Sequence, residues 1–127
     1  MKSFVASTIR IYEEDGVMTI GLGNHPNNPS NFIIITRLDD EDNASVDDGI
    51  GLLTDEAEYE KSNVIEKISY HSDRLEVVVR SEFAEFFGER THEAKLFQVG
   101  DSSLDQNSEL KDALQAMFSG SHVELSM

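Results

Sequence analysis

Between Asp39 and Glu60 the chain carries ten carboxylates and neither a Lys nor an Arg. They are Asp39, Asp40, Glu41, Asp42, Asp47, Asp48, Asp55, Glu56, Glu58 and Glu60. A run this one-sided projects a negative field that attracts cations and repels anions. Three chemistries could use it: metal binding, acid–base catalysis and recognition of a basic partner. Spacing separates them. Counted from Asp39, the sixth position is Ala44, where an EF-hand loop needs Gly, and the twelfth is Ile50, where it needs Glu. Only a looser Ca²⁺ or Mg²⁺ site fits this pattern, beside the plainer reading of a solvated loop extended by self-repulsion. Glycoside chemistry needs two carboxylates at a set separation across a cleft, which a run of loop acids does not define.

The remaining residues offer no catalytic signature. Gly21-Leu22-Gly23 is followed by Asn24-His25-Pro26, so the dinucleotide fingerprint fails at its third glycine. There is no P-loop and no His-Glu-x-x-His. His25, His71, His92 and His122 are far apart, and none has a second ligand at helical spacing. A Ser-His-Asp triad cannot be read from scattered residues. The chain has no Cys, hence no disulfide framework and no thiolate. The expectation is therefore a protein that is not an enzyme, with no catalytic residue, no cofactor and no assigned metal ligand.

Binding makes fewer demands. An acidic segment can pair with Lys and Arg of a partner, speed encounter and reject wrong partners. Enzymes acting on nucleic acids have basic clefts that an acidic protein can occupy as a substrate mimic. Tight contact still needs aromatic or aliphatic anchors. Tyr59 lies inside the acidic run and is the candidate anchor, unless it is a strand-edge or core tyrosine. The partner-binding set is thus Asp39, Asp40, Glu41, Asp42, Asp47, Asp48, Asp55, Glu56, Glu58 and Tyr59.

Composition sets the frame. A chain of 127 residues, 39% hydrophobic and 28% charged, can bury one ordinary core. One domain spanning 1–127 is expected. The net charge of −15 disfavours nucleic acid and anionic membrane as partners, since both bind basic surfaces. It could also serve solubility alone. The N-terminus reads as a strand and lacks the long apolar stretch of a signal peptide, so the cytoplasm is the expected compartment. No apolar run approaches the roughly 20 residues that span a bilayer. Asn43-Ala44-Ser45 matches a glycosylation sequon by chance in that setting.

The elements that must position these residues follow from periodicity. Phe4, Ala6 and Thr8, then Ile9 and Ile11, open in strand alternation with a phase change near Thr8. Glu13-Glu14-Asp15-Gly16 is a turn leading into Val17–Leu22, which makes a hairpin. Residues 23–30 form a loop holding both prolines. Phe32-Ile33-Ile34-Ile35-Thr36 suits a central strand buried on both faces. Asp39–Gly49 reads as an exposed loop and Ile50–Thr54 as a short strand. Val64–Tyr70 and Arg74–Val79 form a second hairpin. Ser81 can cap a short helix over Glu82–Phe87, stopped by Gly88. Glu93–Val99 is a last strand. Leu104–Phe118 is an amphipathic helix with Leu110, Ala113, Leu114, Met117 and Phe118 on one stripe. The tail from Ser121 is too short to assign. The sum is an α+β fold: a mainly antiparallel sheet of about six strands with both helices packed on one face.

This order of segments resembles the immunity protein 10 family of bacterial toxin-immunity proteins. The resemblance lies in Asn31-Phe32-Ile33-Ile34-Ile35-Thr36-Arg37 with an acidic segment after it, and in Val64-Ile65-Glu66-Lys67-Ile68 leading to Arg74-Leu75-Glu76-Val77. A short Ala-Phe-containing helix, a strand and a closing helix ending near Met117-Phe118 complete it. Where the family pattern has a glycine pair before the strand at Val64, this chain has Ser62-Asn63. The resemblance spans most of the chain but carries no residue-level motif. It implies a small cytoplasmic antitoxin that binds and neutralises one cognate toxin domain. Two other readings compete: an acidic secretion chaperone for an effector protein, and an enzyme of unknown type. The chaperone reading is disfavoured by an N-terminus of strands and a helix that comes last.

Overall fold

The computed structural model describes residues 2–25, 27–38, 46–71, 73–96 and 101–126, with backbone only for 101–108. Phe4 and Ala6 point into the core from β1 (Lys2–Ala6). The inward parity then shifts, and Ile9 and Ile11 pack against the same core from β2 (Thr8–Glu14). The expected phase change near Thr8 is where the chain leaves one sheet for another. Ser7 marks the corner, its amide donating to the Gly23 carbonyl at 2.9 Å.

Asp15 (φ 53°) and Gly16 (φ 80°) form the two-residue turn from β2 into β3 (Val17–Gly23). Positive φ at both positions is the turn whose twist matches an antiparallel hairpin. β4 (Phe32–Arg37), β5 (Ile50–Thr54) and β6 (Lys61–Ser62) extend this sheet in the order β2-β3-β4-β5-β6, antiparallel throughout. The other sheet contains β7 (Ile65–His71), β8 (Arg74–Val79), β9 (Thr91–Leu96) and β10 (Glu124–Ser126), in the order β1-β9-β8-β7-β10. Its three central strands are antiparallel, whereas β1 and β10 run parallel to their neighbours at the two edges.

Register places the apolar rows. Ile9, Leu22, Ile33 and Thr54 align across one sheet, as do Ile11, Ile20, Ile35 and Leu52. Of these, Leu22, Ile33, Ile20, Ile35 and Leu52 join Phe4, Ala94, Leu75, Val77 and Ile68 of the other sheet in one buried cluster, with Ile9 and Ile11 packed against it. The helix α1 (Asp101–Met117) adds Leu110, Ala113, Leu114 and Met117, followed by Phe118, to that cluster. Arg37, at the end of β4, fixes where α1 stops. Its Nη1 lies 3.0, 3.0 and 2.9 Å from the carbonyls of Ala116, Met117 and Ser119. A cation there satisfies helix-end carbonyls and complements the helix dipole.

The α+β class stands, but the architecture is richer than expected. Ten strands in two five-stranded sheets replace one sheet of about six, among the described residues. β6 and β10 have two and three residues and carry no periodic signal of their own. The expected helix over Glu82–Phe87 is a 3-10 turn at Ser81–Phe83 followed by further turns. A six-residue stretch cannot recover the cost of helix nucleation unless packing supports it. The last expected strand runs Thr91–Leu96, and its forecast end at 97–99 lies outside the described residues. β4 is central but not buried on both faces: Ile33 and Ile35 are covered, while Phe32 and Ile34 are only half-buried. Among the described residues no helix is long and apolar enough to cross a membrane.

Leu114 is completely buried in the shared cluster. Leu114→Ala should therefore lower stability by about 2–5 kcal/mol, measured as a shift in denaturant midpoint. A negligible shift would mean that α1 is not docked on the core.

Candidate recognition surface

The acids that looked like one run have separate fates. Asp39, Asp40, Glu41 and Asp42 lie outside the described residues. Asp47 was expected to be exposed, but only 7% of its surface reaches solvent. It sits in the 3-10 turn Asp47–Gly49 and receives hydrogen bonds from Ser121 Oγ, the His122 amide at 3.2 Å and His122 Nδ1 at 2.8 Å. Nδ1 faces an acceptor-only carboxylate, so that nitrogen carries the proton. Burial pushes the Asp47 carboxyl up, but the bonds from Ser121 and His122 outweigh it and hold the group below the usual carboxylate range. Asp48 is half-buried, with Asn63 Nδ2 donating to it at 3.3 Å.

Asp55 is likewise structural. Lys2 pairs with it from β1, Asn31 Nδ2 donates at 3.2 Å and the Phe32 amide at 3.0 Å. Burial again works against its charge, and these donors reverse the balance and lower its pKa. For Lys2 burial opposes the ammonium, while Asp55 and Glu56, the latter 3.0 Å away, raise its pKa overall. The pair ties the first strand of one sheet to the end of β5 in the other.

Glu58, Tyr59 and Glu60 are exposed. Tyr59 has 55% of its surface in solvent and is neither a core nor a strand residue. Its ring meets Phe86 edge-on at 5.0 Å, and Phe86 meets the fully buried Phe87 at 5.0 Å. Phe87 in turn contacts the buried ring of His92 at 6.3 Å. Burial lowers the pKa of His92, whose Nε2 is 2.9 Å from the Glu89 carbonyl. An aromatic column thus runs from an exposed tyrosine to the core. Lys61 sits over its outer part, with Nζ 5.4, 5.7 and 4.7 Å from the ring centroids of Tyr59, Phe83 and Phe86.

Two connections build this surface: Asp55–Glu60 between β5 and β6, and Ser81–Arg90 between β8 and β9. The second brings Glu82, Glu85 and Glu89, all exposed. Phe83, Phe86 and Lys61 were missed by sequence reasoning. The phenylalanines resembled the apolar side of a short helix, and Lys61 is simply the first cation after the acidic run. The surface as a whole sets one exposed ring, Tyr59, and two half-buried ones, Phe83 and Phe86, beside exposed carboxylates and Lys61.

A concavity lies elsewhere, on the outward face of the sheet that holds β2 to β6. A groove of about 290 Å³ runs between Arg10, Tyr12, Phe32, Ile34 and Leu53. Arg10, Gly21, Ile34 and Leu53 are neighbours across four strands, and a side chain at Gly21 would project into that space. Gly23 admits Pro29, whose Cβ would lie 3.1 Å from an added Cβ. The two glycines therefore serve groove and loop packing. His25 Nδ1 accepts from the amides of Asn27 and Asn28 at 3.1 Å, which shapes one wall. Among the described residues no three His, Asp or Glu side chains are grouped to hold a metal ion.

Asp47→Asn should reveal the anchoring of the C-terminal segment. A carboxyl with a depressed folded pKa contributes stability at neutral pH, and that contribution is lost as pH falls below about 4. The substitution should cost about 1–3 kcal/mol at pH 7. Urea melts should then show the gap to the unmodified protein shrinking toward pH 3. A gap independent of pH would show that the carboxylate charge plays no part.

No protein-family model matches the chain and no curated protein matches it, so the functional reading rests on the surface just described.

Proposed function

We propose that this is an immunity protein, an antitoxin that binds and neutralises a cognate bacterial toxin domain with a basic surface. It acts by binding and not by turnover, and its place of action is the cytoplasm. The observation that carries this reading is Tyr59: an exposed ring, braced on Phe86, inside a segment whose only charges up to Glu60 are negative. The edge contact with the half-buried Phe86 restrains the ring, so less side-chain freedom is lost when a partner covers it. The surrounding Glu58, Glu82 and Glu85 supply long-range attraction for a basic protein and repel nucleic acid.

The resemblance to the immunity protein 10 family points the same way. A departure from its pattern lies at Ser62-Asn63, where the family has a glycine pair. Asn63 has φ 56°, the left-handed region that glycine favours and asparagine tolerates better than most.

The test is to purify the native protein with its bound partner, then express that partner with and without this chain. Growth arrest relieved only when this chain is present is the expected result. A captured effector that is held unfolded and causes no arrest would replace the antitoxin reading with a secretion chaperone.

With a partner in hand, Tyr59→Ala should weaken the complex roughly tenfold or more, mostly through faster dissociation, and leave the melt nearly unchanged. The triple variant Glu58→Gln, Glu82→Gln, Glu85→Gln should slow association at low salt, with the difference fading at high salt. Association rates that are identical at both salt concentrations would remove steering from the mechanism.

A further inference from the structure

Lys61 is placed oddly for a cation in so acidic a neighbourhood. Glu58 and Glu60 lie within three residues of it, yet among the described residues no carboxylate reaches it at ion-pair distance. Its ammonium instead lies within 6 Å of three ring centroids, those of Tyr59, Phe83 and Phe86. Rings attract a cation over their faces at this range. The three rings come from two separate connections, and Phe86 is braced by the buried Phe87 beneath it. Phe83 and Phe86 of this cage are therefore held by the core, and Tyr59 rests edge-on against Phe86.

We infer that Tyr59, Phe83 and Phe86 form a cation-binding subsite for an arginine side chain of the partner, which the free protein fills with its own Lys61. The inference rests on the antitoxin reading and names the group that the surface recognises. Three properties support exchange. Lys61 is anchored through the backbone of β6, opposite Leu52, so its long stem can swing away without disturbing the strand. An exposed cation–π contact is weak, and the released ammonium would stay in a segment that carries the exposed Glu58 three residues before it. A guanidinium is flatter and less strongly hydrated than an ammonium, and it stacks on aromatic faces, so arginine is the better occupant. In the free protein Lys61 keeps the rings from presenting an open apolar face.

The inference is tested on the isolated protein with Nα-acetyl-arginine amide, Nα-acetyl-lysine amide and Nα-acetyl-norleucine amide, followed by NMR shifts of the Tyr59, Phe83 and Phe86 ring protons. Lys61→Ala should bind the arginine compound about fivefold more tightly than the unmodified protein does, with arginine preferred over lysine and norleucine not bound. Lys67→Ala removes the same charge away from the rings and sets the purely electrostatic part of any gain. Adding Tyr59→Ala to Lys61→Ala should abolish the gain. Equal gains from Lys61→Ala and Lys67→Ala, or equal binding of arginine and norleucine compounds, would overturn the inference. No toxin enters this measurement, so failure here leaves the antitoxin reading standing, and failure to find a toxin leaves the cage standing.

Discussion

One apolar cluster shared by two sheets is the constraint on which the rest of this structure depends. The chain has twenty-five acids, and none can enter that cluster without donors. Most remain on connections and outward faces. Those that reach the boundary arrive with partners: Asp47 with Ser121 and His122, Asp55 with Lys2, Asn31 and the Phe32 amide. Glu93, also buried, accepts from Ser3 Oγ at 2.9 Å and lies 3.9 Å from the Arg74 guanidinium. These contacts join segments distant in sequence, so acids that look alike in the chain become fasteners in the fold.

The same constraint shapes the candidate recognition surface. Phe87 is rooted in the core, Phe86 leans on it, and Tyr59 leans on Phe86 at the surface. The two connections that carry these rings are irregular, yet Phe86 packs against the core and Tyr59 against Phe86. Loops set on a rigid scaffold are where proteins commonly place binding residues. The outward face of the sheet that holds β2 to β6 is different in kind. It is a groove made possible by the missing side chain at Gly21, without a comparable concentration of charge.

Legibility varied with how local each signal was. The hairpin at Asp15-Gly16 was readable because two successive positive-φ residues need one particular turn. The stripe from Leu110 to Phe118 was readable because helical period repeats within a few residues. The parity change between Ala6 and Ile9 was readable as a break, though not as a change of sheet. The segment around Phe83 misled, since apolar residues over six positions fit a helix turn and a packed loop equally well. The exposure of Tyr59 agreed with its acidic context, whereas its neighbour Phe86 and the nearby Phe83 could not be read, because they come from another connection.

Amino-acid order alone determined the strand and helix periods, the principal turns, the excess of negative charge and the presence of an aromatic within it. Those properties depend on neighbours a few residues apart. Tertiary structure alone decided which strands share a sheet and which carboxylates remain available. β1 pairs with β9 across most of the chain, and the partner of Asp47 lies 74 residues away at Ser121. No local pattern encodes a pairing at that separation. It follows from closing one apolar core with every buried charge satisfied.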